Sequence, residues 1–165
     1  MMSMQTIFVI SEEAAVLAEL CSGAKAAAER VTAILFGGEA DAAAAASCGA
    51  DRLLFCQPSG GAVAEDYAAA IAEEVKKDVS ALVVVNNSIR GRCLAGKLGV
   101  LLDTAVLTSV NSLERSGEDL VCRRMVYGGM AQRGEVFAKP YGVVTVGAGV
   151  FEAAPGGIQA AVSPF

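Results

Sequence analysis

Apolar and polar positions alternate along the chain in blocks. Short, nearly continuous apolar runs are followed by segments with apolar residues every three or four positions. Residues 5–10, "QTIFVI", read as a buried strand. Ser11 follows as a candidate N-cap with Glu12 and Glu13 beside it, and Val16, Leu17, Leu20 and Cys21 then recur at helical spacing. "VTAILFGG" (31–38) is a second strand and "EADAAAAASCGA" (39–50) an alanine-rich helix. "DRLLFCQ" (51–57) is a third strand. Val63, Tyr67, Ile71 and Val75 mark one helix face, and "SALVVVN" (80–86) is the most strand-like segment of all. Ile89, Cys93, Leu94, Leu98 and Leu101 give the next helix face, and "TAVLTSVNSLE" (104–114) another strand. Strands apolar on both faces and alternating with helices predict a parallel sheet covered on each side.

The rhythm changes after residue 114. Residues 115–119 read as a polar turn. "LVCRRMVYGG" (120–129) and "MAQRGEVFA" (130–138) read as two strands joined near Gly128 and Gly129, and "YGVVTVGAG" (141–149) as a last apolar strand. The end, "VFEAAPGGIQAAVSPF", reads as loop. The expected architecture is α/β: a three-layer sandwich around a mainly parallel twisted sheet, Rossmann-like, with an antiparallel hairpin added near the C-terminus. Residues 1–165 are expected to form a single domain, since no solenoid-length repeat or linker interrupts them.

Composition narrows the chemistry. The chain is 54% hydrophobic and has no histidine. Without histidine, Ser–His–Asp and Cys–His catalysis are excluded, and the commonest general base and metal ligand are lost. No carboxylate pair with catalytic spacing stands out either, so an enzymatic role is not expected. The five cysteines, Cys21, Cys48, Cys56, Cys93 and Cys122, are dispersed and form no CxxC pair, which argues against a disulfide framework or zinc site. Mean hydropathy is high at +0.50, yet no apolar run reaches a membrane-spanning length of about 20 residues. No signal-peptide pattern opens the chain, and a cytoplasmic location is expected.

Charge is uneven. Residues 1–80 carry five basic and twelve acidic groups, and residues 81–165 carry eight and six. No basic stripe suggests nucleic acid. Of the four strand-to-helix loops on the ligand-binding side expected of such a sheet, three place carboxylates near the following helix start. Only the fourth is basic. Asn87, Ser88, Arg90, Gly91 and Arg92 combine a helix N-terminus with two guanidinium groups, where cations are normally disfavoured. This is a candidate site for an anion, a nucleotide or a partner's carboxylate, against the alternative of ordinary surface or ion-pairing arginines. It is neither a P-loop nor a GxGxxG fingerprint. Asp103 and Thr104 read as a turn. Arg123 and Arg124, adjacent in a strand, point to opposite faces.

"NNSIRGRCLAGKLGVLLDTAVLTSVNSLE" resembles a family segment in which a Gly-Arg pair opens a helix of the type "GRdLApRLAarLg" before a strand "glvtDvt". "CRRMVYGGMAQRGEVFAKPYGVVTVGAGVFEAAP" is similar to that family's "tRpvyGGkA" and "vvTvRpGaFe" stretches. The family is the electron transfer flavoprotein α subunit, and the resemblance covers its N-terminal domain in element order. It is most specific at Gly91-Arg92, at 127–131 and at 144–152. It departs from the family at 146–151, "VGAGVF", where an arginine and a proline are replaced. The resemblance implies a nucleotide-hydrolase-like fold, a β-like subunit or separate flavin-binding domain as partner, and self-association when that chain is missing. Flavin-domain motifs of the family ("SRaavD", "GQTG") do not occur here. FAD is therefore expected only through another domain or partner, and AMP only through the Ser88–Arg92 loop. The preferred partner surface is the 120–139 region, with Arg123, Arg124, Tyr127 and Arg133.

Overall fold

The computed structural model describes residues 4–154 and 159–165. Its elements are β1 (Thr6–Ser11), α1 (Ala14–Ala27), β2 (Arg30–Phe36), α2 (Glu39–Ala44), β3 (Arg52–Cys56), α3 (Ala68–Val75, entered through a 3-10 turn Ala64–Tyr67), β4 (Ala81–Asn86) and α4 (Ile89–Leu101). Then follow β5 (Val106–Ser116), β6 (Asp119–Val126), β7 (Ala131–Glu135), β8 (Tyr141–Val146) and β9 (Ala161–Pro164). They build one nine-stranded sheet in the order β7-β6-β5-β8-β4-β1-β2-β3-β9. All pairings are parallel except β5–β6 and β6–β7. The α/β sandwich with an antiparallel addition is the architecture expected from the sequence.

Why the layers form is visible in β1 and β4, every residue of which is buried. A strand apolar on both faces needs a helix on each side. Val9 and Leu82 face a core shared with α1 and α2 (Leu17, Leu20, Ala42), whereas Phe8, Val83 and Val85 face one shared with α3 and α4 (Ile71, Leu94, Leu98). The chain steps outward from β1 through β2 to β3. It then returns through α3 to lay β4 on the other side of β1. The strand order thus reverses between β1 and β4, where open α/β sheets form their ligand crevice.

Several local expectations are corrected. The C-terminal segment is not all loop. Ala161–Pro164 pairs in register with Arg52–Phe55 as the outermost parallel strand, while residues 155–158 of that segment lie outside the described residues. Its short, Pro-ended sequence has no periodicity to announce it; the edge of β3 supplies the template. Ser11 belongs to β1, and the N-cap of α1 is Glu13. The Ser11 hydroxyl instead accepts the Glu13 N–H at 3.0 Å as a local turn. The polar turn shrinks to Gly117 and Glu118, because Arg115 and Ser116 still pair with Leu120 and Asp119.

The predicted face of α4 is also rotated. Ile89 and Cys93 are exposed, and the buried stripe is Gly91, Leu94, Ala95, Leu98 and Gly99. Glycines allow a closer approach than the larger side chains would. A Cβ on Gly99 would come within 2.6 Å of Val106.

β5 leaves the parallel sheet through two irregularities. Its register with β8 slips between Leu107 and Val110, and its register with β6 slips between Val110 and Ser112. Ser109, at the first, has φ of 57°. Such bulges bend a strand, and β5 carries β6 alongside α1, where Leu113, Leu120 and Cys122 join the α1-side core. Arg115 anchors the bend. Its Nη2 donates to the Met4 carbonyl at 2.6 Å and to the Ala27 carbonyl, at the last turn of α1, at 2.8 Å.

Glu74 is the buried carboxylate of α3, bonded to Arg52 at 2.9 Å and to Lys77. Burial pushes its carboxyl up, but the hydrogen bonds and charges of Lys77 and Arg52 outweigh that and hold it below the ordinary range. A depressed folded pKa adds stability above the unfolded value, about 4.3, and that stability disappears as pH falls through the folded one. Urea denaturation of Glu74→Gln should show a loss of about 1 kcal/mol near neutral pH, since both cations are half-exposed. The difference from wild type should shrink on acidification to roughly pH 3. Arg115→Ala, measured in the same way, should lose about 2 kcal/mol through its charged hydrogen bonds.

Candidate functional site

Asn87 and Ser88 connect β4 to α4 beside the point of strand reversal. Ser88 is the N-cap of α4, and its hydroxyl accepts the Gly91 N–H at 2.9 Å. Gly91 is required by contact: a Cβ there would sit 1.8 Å from the Asn86 carbonyl oxygen. The helix start is thus pressed onto the end of β4.

Asn87 ties this loop to its neighbours. Its N–H donates to the Val146 carbonyl at 2.9 Å, and its side-chain oxygen accepts from the Thr145 hydroxyl at 3.1 Å. Its side-chain amide donates to the Ser109 hydroxyl at 3.4 Å. Ser109 N–H in turn donates to the Thr145 hydroxyl at 3.0 Å, which holds the positive-φ residue in place. The candidate loop and the bulge that launches the antiparallel strands are therefore one hydrogen-bonded unit. Ser109 lies in no motif, and Thr145, although inside the 144–152 stretch, carries no assigned role there; only the fold reveals their part.

The two arginines diverge. Arg90 pairs with Glu65 at 3.6 Å, a carboxylate from the acidic loop after β3. The other Glu65 oxygen is buried without a hydrogen-bond partner. Arg92 Nη1 donates to the Asn87 carbonyl at 3.3 Å. The basic loop is thus partly balanced by an acidic neighbour. At the reversal point itself, Ser11, Glu12, Phe36, Asn86, Ser88 and Gly91 help close a cavity of about 10 Å³. That is room for about one water molecule, far below the roughly 300–1,000 Å³ of small-molecule sites, and it has a carboxylate on its wall. The residues present do not fit FAD there. Among the described residues no three or more His, Cys, Asp or Glu side chains are grouped to hold a metal ion, and no helix is long and apolar enough to cross a membrane.

The second candidate region is the β6–β7 hairpin. Arg123 and Arg124 do point to opposite faces. Arg123 pairs with Glu114 of β5 at 2.8 Å, and Arg124 with Glu135 of β7 at 3.3 Å. Arg133 meets the same Glu135 at 2.8 Å. All three arginines are thus paired within the hairpin and β5, and large hydrophobic side chains stand exposed beside them. Tyr127, Gly128 and Gly129 all have positive φ (53°, 65° and 91°) in the turn between the strands. Tyr127 is 82% exposed, Met130 89% and Met125 48%. Charge-based reading overlooked both methionines; their signal is apolar residues flanking a glycine turn with no partner strand beyond.

A family model described as "Electron transfer flavoprotein domain" matches residues 8–164, from β1 to β9. This chain belongs to that family. The α-subunit N-terminal domain resembled by the Gly91-Arg92 and 127–131 motifs agrees with it. The electron transfer flavoprotein domain is also similar to "Protein FixB" of Salmonella typhimurium, at 38% identity over 151 residues. That match covers 90% of this chain and 48% of the relative. "Protein FixB" of Escherichia coli O157:H7 is 34% identical over the same shares. The chain thus spans about half the length of the relatives it matches.

The contact at Gly91 separates two glycines of one helix. Gly91→Ala should lower stability by about 3 kcal/mol despite the better helix propensity of alanine. Gly96→Ala, facing open space, should be neutral or raise stability by up to about 1 kcal/mol. Thermal or urea unfolding of the pair checks both.

Proposed function

We propose that this electron transfer flavoprotein domain is a docking component of a flavin-dependent electron-transfer system. It binds a β-like subunit or a separate flavin-bearing domain through the outer face of β6–β7, and FAD is held by that partner. The observation that carries the reading is the exposure of Met125, Tyr127 and Met130 in and beside the left-handed turn between β6 and β7. Aromatic and methionine side chains are enriched at interface centres, and charged groups are depleted there. Arg123, paired with Glu114, stands on the same strand face as Met125 and gives that side chain a polar neighbour. The α4 start suits the same role, since exposed Ile89 stands between Ser88 and Arg90. An apolar side chain beside two guanidinium groups matches a protein surface with a carboxylate better than a phosphate.

The alternative, an adenine nucleotide on the Ser88–Arg92 loop, would require the closed cavity to open. It is favoured only by the lack of acidic residues in the first turn of α4.

Sedimentation of the chain with a flavin-loaded β-type subunit, followed at the flavin absorbance, tests the docking reading. Tyr127→Ala with Met130→Ala should weaken the complex about 30-fold or more, as loss of interface anchors does. The unfolding temperature should stay unchanged, because both side chains are exposed. A complex indifferent to this double variant, or stoichiometric FAD on the isolated chain, would overturn the reading. AMP, ADP or FAD near 100 times its dissociation constant would instead stabilise the chain by about 2.7 kcal/mol, a gain that Arg92→Ala should abolish if the loop is the nucleotide site.

A further inference from the structure

α4 is apolar on two sides. Leu94, Ala95 and Leu98 are buried against the sheet. On the opposite side Ile89, Cys93, Gly96 and Val100 follow one another at intervals of four, three and four residues, one stripe of helical spacing. All four are exposed, Ile89 at 76% and Val100 at 82%. A helix apolar on both sides is ordinarily covered on both. Grooves run along both flanks of Val100. One, of about 510 Å³, is lined by Gly96, Val100, Asp103 and Lys139. The other, of about 390 Å³, is lined by Asp66, Lys97, Val100 and Leu101. We propose that α4 packs, antiparallel across a two-fold axis, on the α4 of a second copy of this chain. The pairing goes beyond the docking reading, which places the flavin-bearing partner at β6–β7.

The stripe itself selects that occupant. It reads large, small, small, large in either direction. A two-fold axis crossing between Cys93 and Gly96 maps it onto itself, with Ile89 over Val100 of the second copy and Cys93 over its Gly96. Gly96 has open space where a Cβ would stand, and small residues at the crossing let two helices approach to about 8 Å. Ile89 of the second copy then enters the grooves beside Val100. The flanking charges are complementary under the same rotation. Arg90 and Lys97 already have carboxylate neighbours in Glu65 and Asp66, at 3.6 and 3.9 Å. Arg92 has none within ion-pair distance among the described residues; its guanidinium reaches back to the Asn87 carbonyl at 3.3 Å. That reach toward the helix N-terminus, the usual one for a helical side chain, aims it at the place Asp103 of the second copy takes in this register. The Asp103 side chain is 92% exposed and pairs with Lys139 at 2.5 Å, so Arg92 brings it a second cation.

The same register puts the two Cys93 Cα atoms about 6 Å apart, within the span a disulfide bridges. Sedimentation equilibrium of the reduced full chain should show monomer passing to dimer as concentration rises. Oxidation by copper phenanthroline in air should then link the dimer, and a non-reducing tryptic digest should contain peptide 93–97 joined to itself. Gly96→Leu and Val100→Lys should each abolish the dimer and the crosslink. Neither should lower the unfolding temperature of the dilute monomer, because both positions are exposed there. Arg92→Asp and Asp103→Arg should each weaken the dimer at least about tenfold through like-charge contacts. Their equimolar mixture should restore it, because unlike charges then meet at both contacts. A chain that stays monomeric up to about 1 mM, a dimer indifferent to Gly96→Leu, a dimer that oxidation does not link at Cys93, or charge variants that do not rescue each other would each overturn the proposal. Tyr127→Ala with Met130→Ala should leave the dimer intact, so its failure and the failure of the docking reading are separate results.

Discussion

Burial of β1 and β4 on both faces is the constraint from which the rest follows. Residues such as Ile7, Val9, Leu82 and Val84 on one side, and Phe8, Ile10, Val83 and Val85 on the other, leave no solvent-facing surface on the central strands. Helices must therefore cover both faces, and right-handed crossovers place α1 and α2 on one face and α3 and α4 on the other only if the chain reverses direction across β1. That reversal sets the β4–α4 loop beside the β1 loop. The Gly91 contact then seals the junction, so the position that hosts ligands in many open sheets is here occupied mainly by the protein's own packing.

The second determinant is the pair of irregularities in β5. A regular strand would have continued the parallel layer. Instead the Ser109 bulge, braced by Asn87 and Thr145, redirects the chain, and Arg115 fixes the new course against the end of α1. The β6–β7 hairpin is consequently rigid at its base and open at its outer edge. This combination suits a docking element, because groups already held in place lose less freedom on association. The ion pairs among Arg123, Arg124, Arg133, Glu114 and Glu135 order the surface without giving it a strong net charge.

Much of this was legible in the residues. Apolar runs and helical spacing located the strands and helices of the sandwich, and the glycine pair located the hairpin turn. The departures share a cause: local pattern is silent about what another segment supplies. β9 exists because the edge of β3 was available to it. The α4 face turned because glycines let backbone approach backbone, which a count of large apolar side chains misses. Arg90 was visible as a cation at a helix start, but Glu65 became its partner only when α3 brought the chain back past β1.

β9 has a geometric corollary. It lies at the opposite margin of the sheet from β7, eight inter-strand steps away at about 4.8 Å each. A fluorophore attached at Phe165 therefore stands across the whole width of the molecule from Tyr127. Such a label would report on the hairpin through distance-dependent energy transfer while leaving its surface untouched.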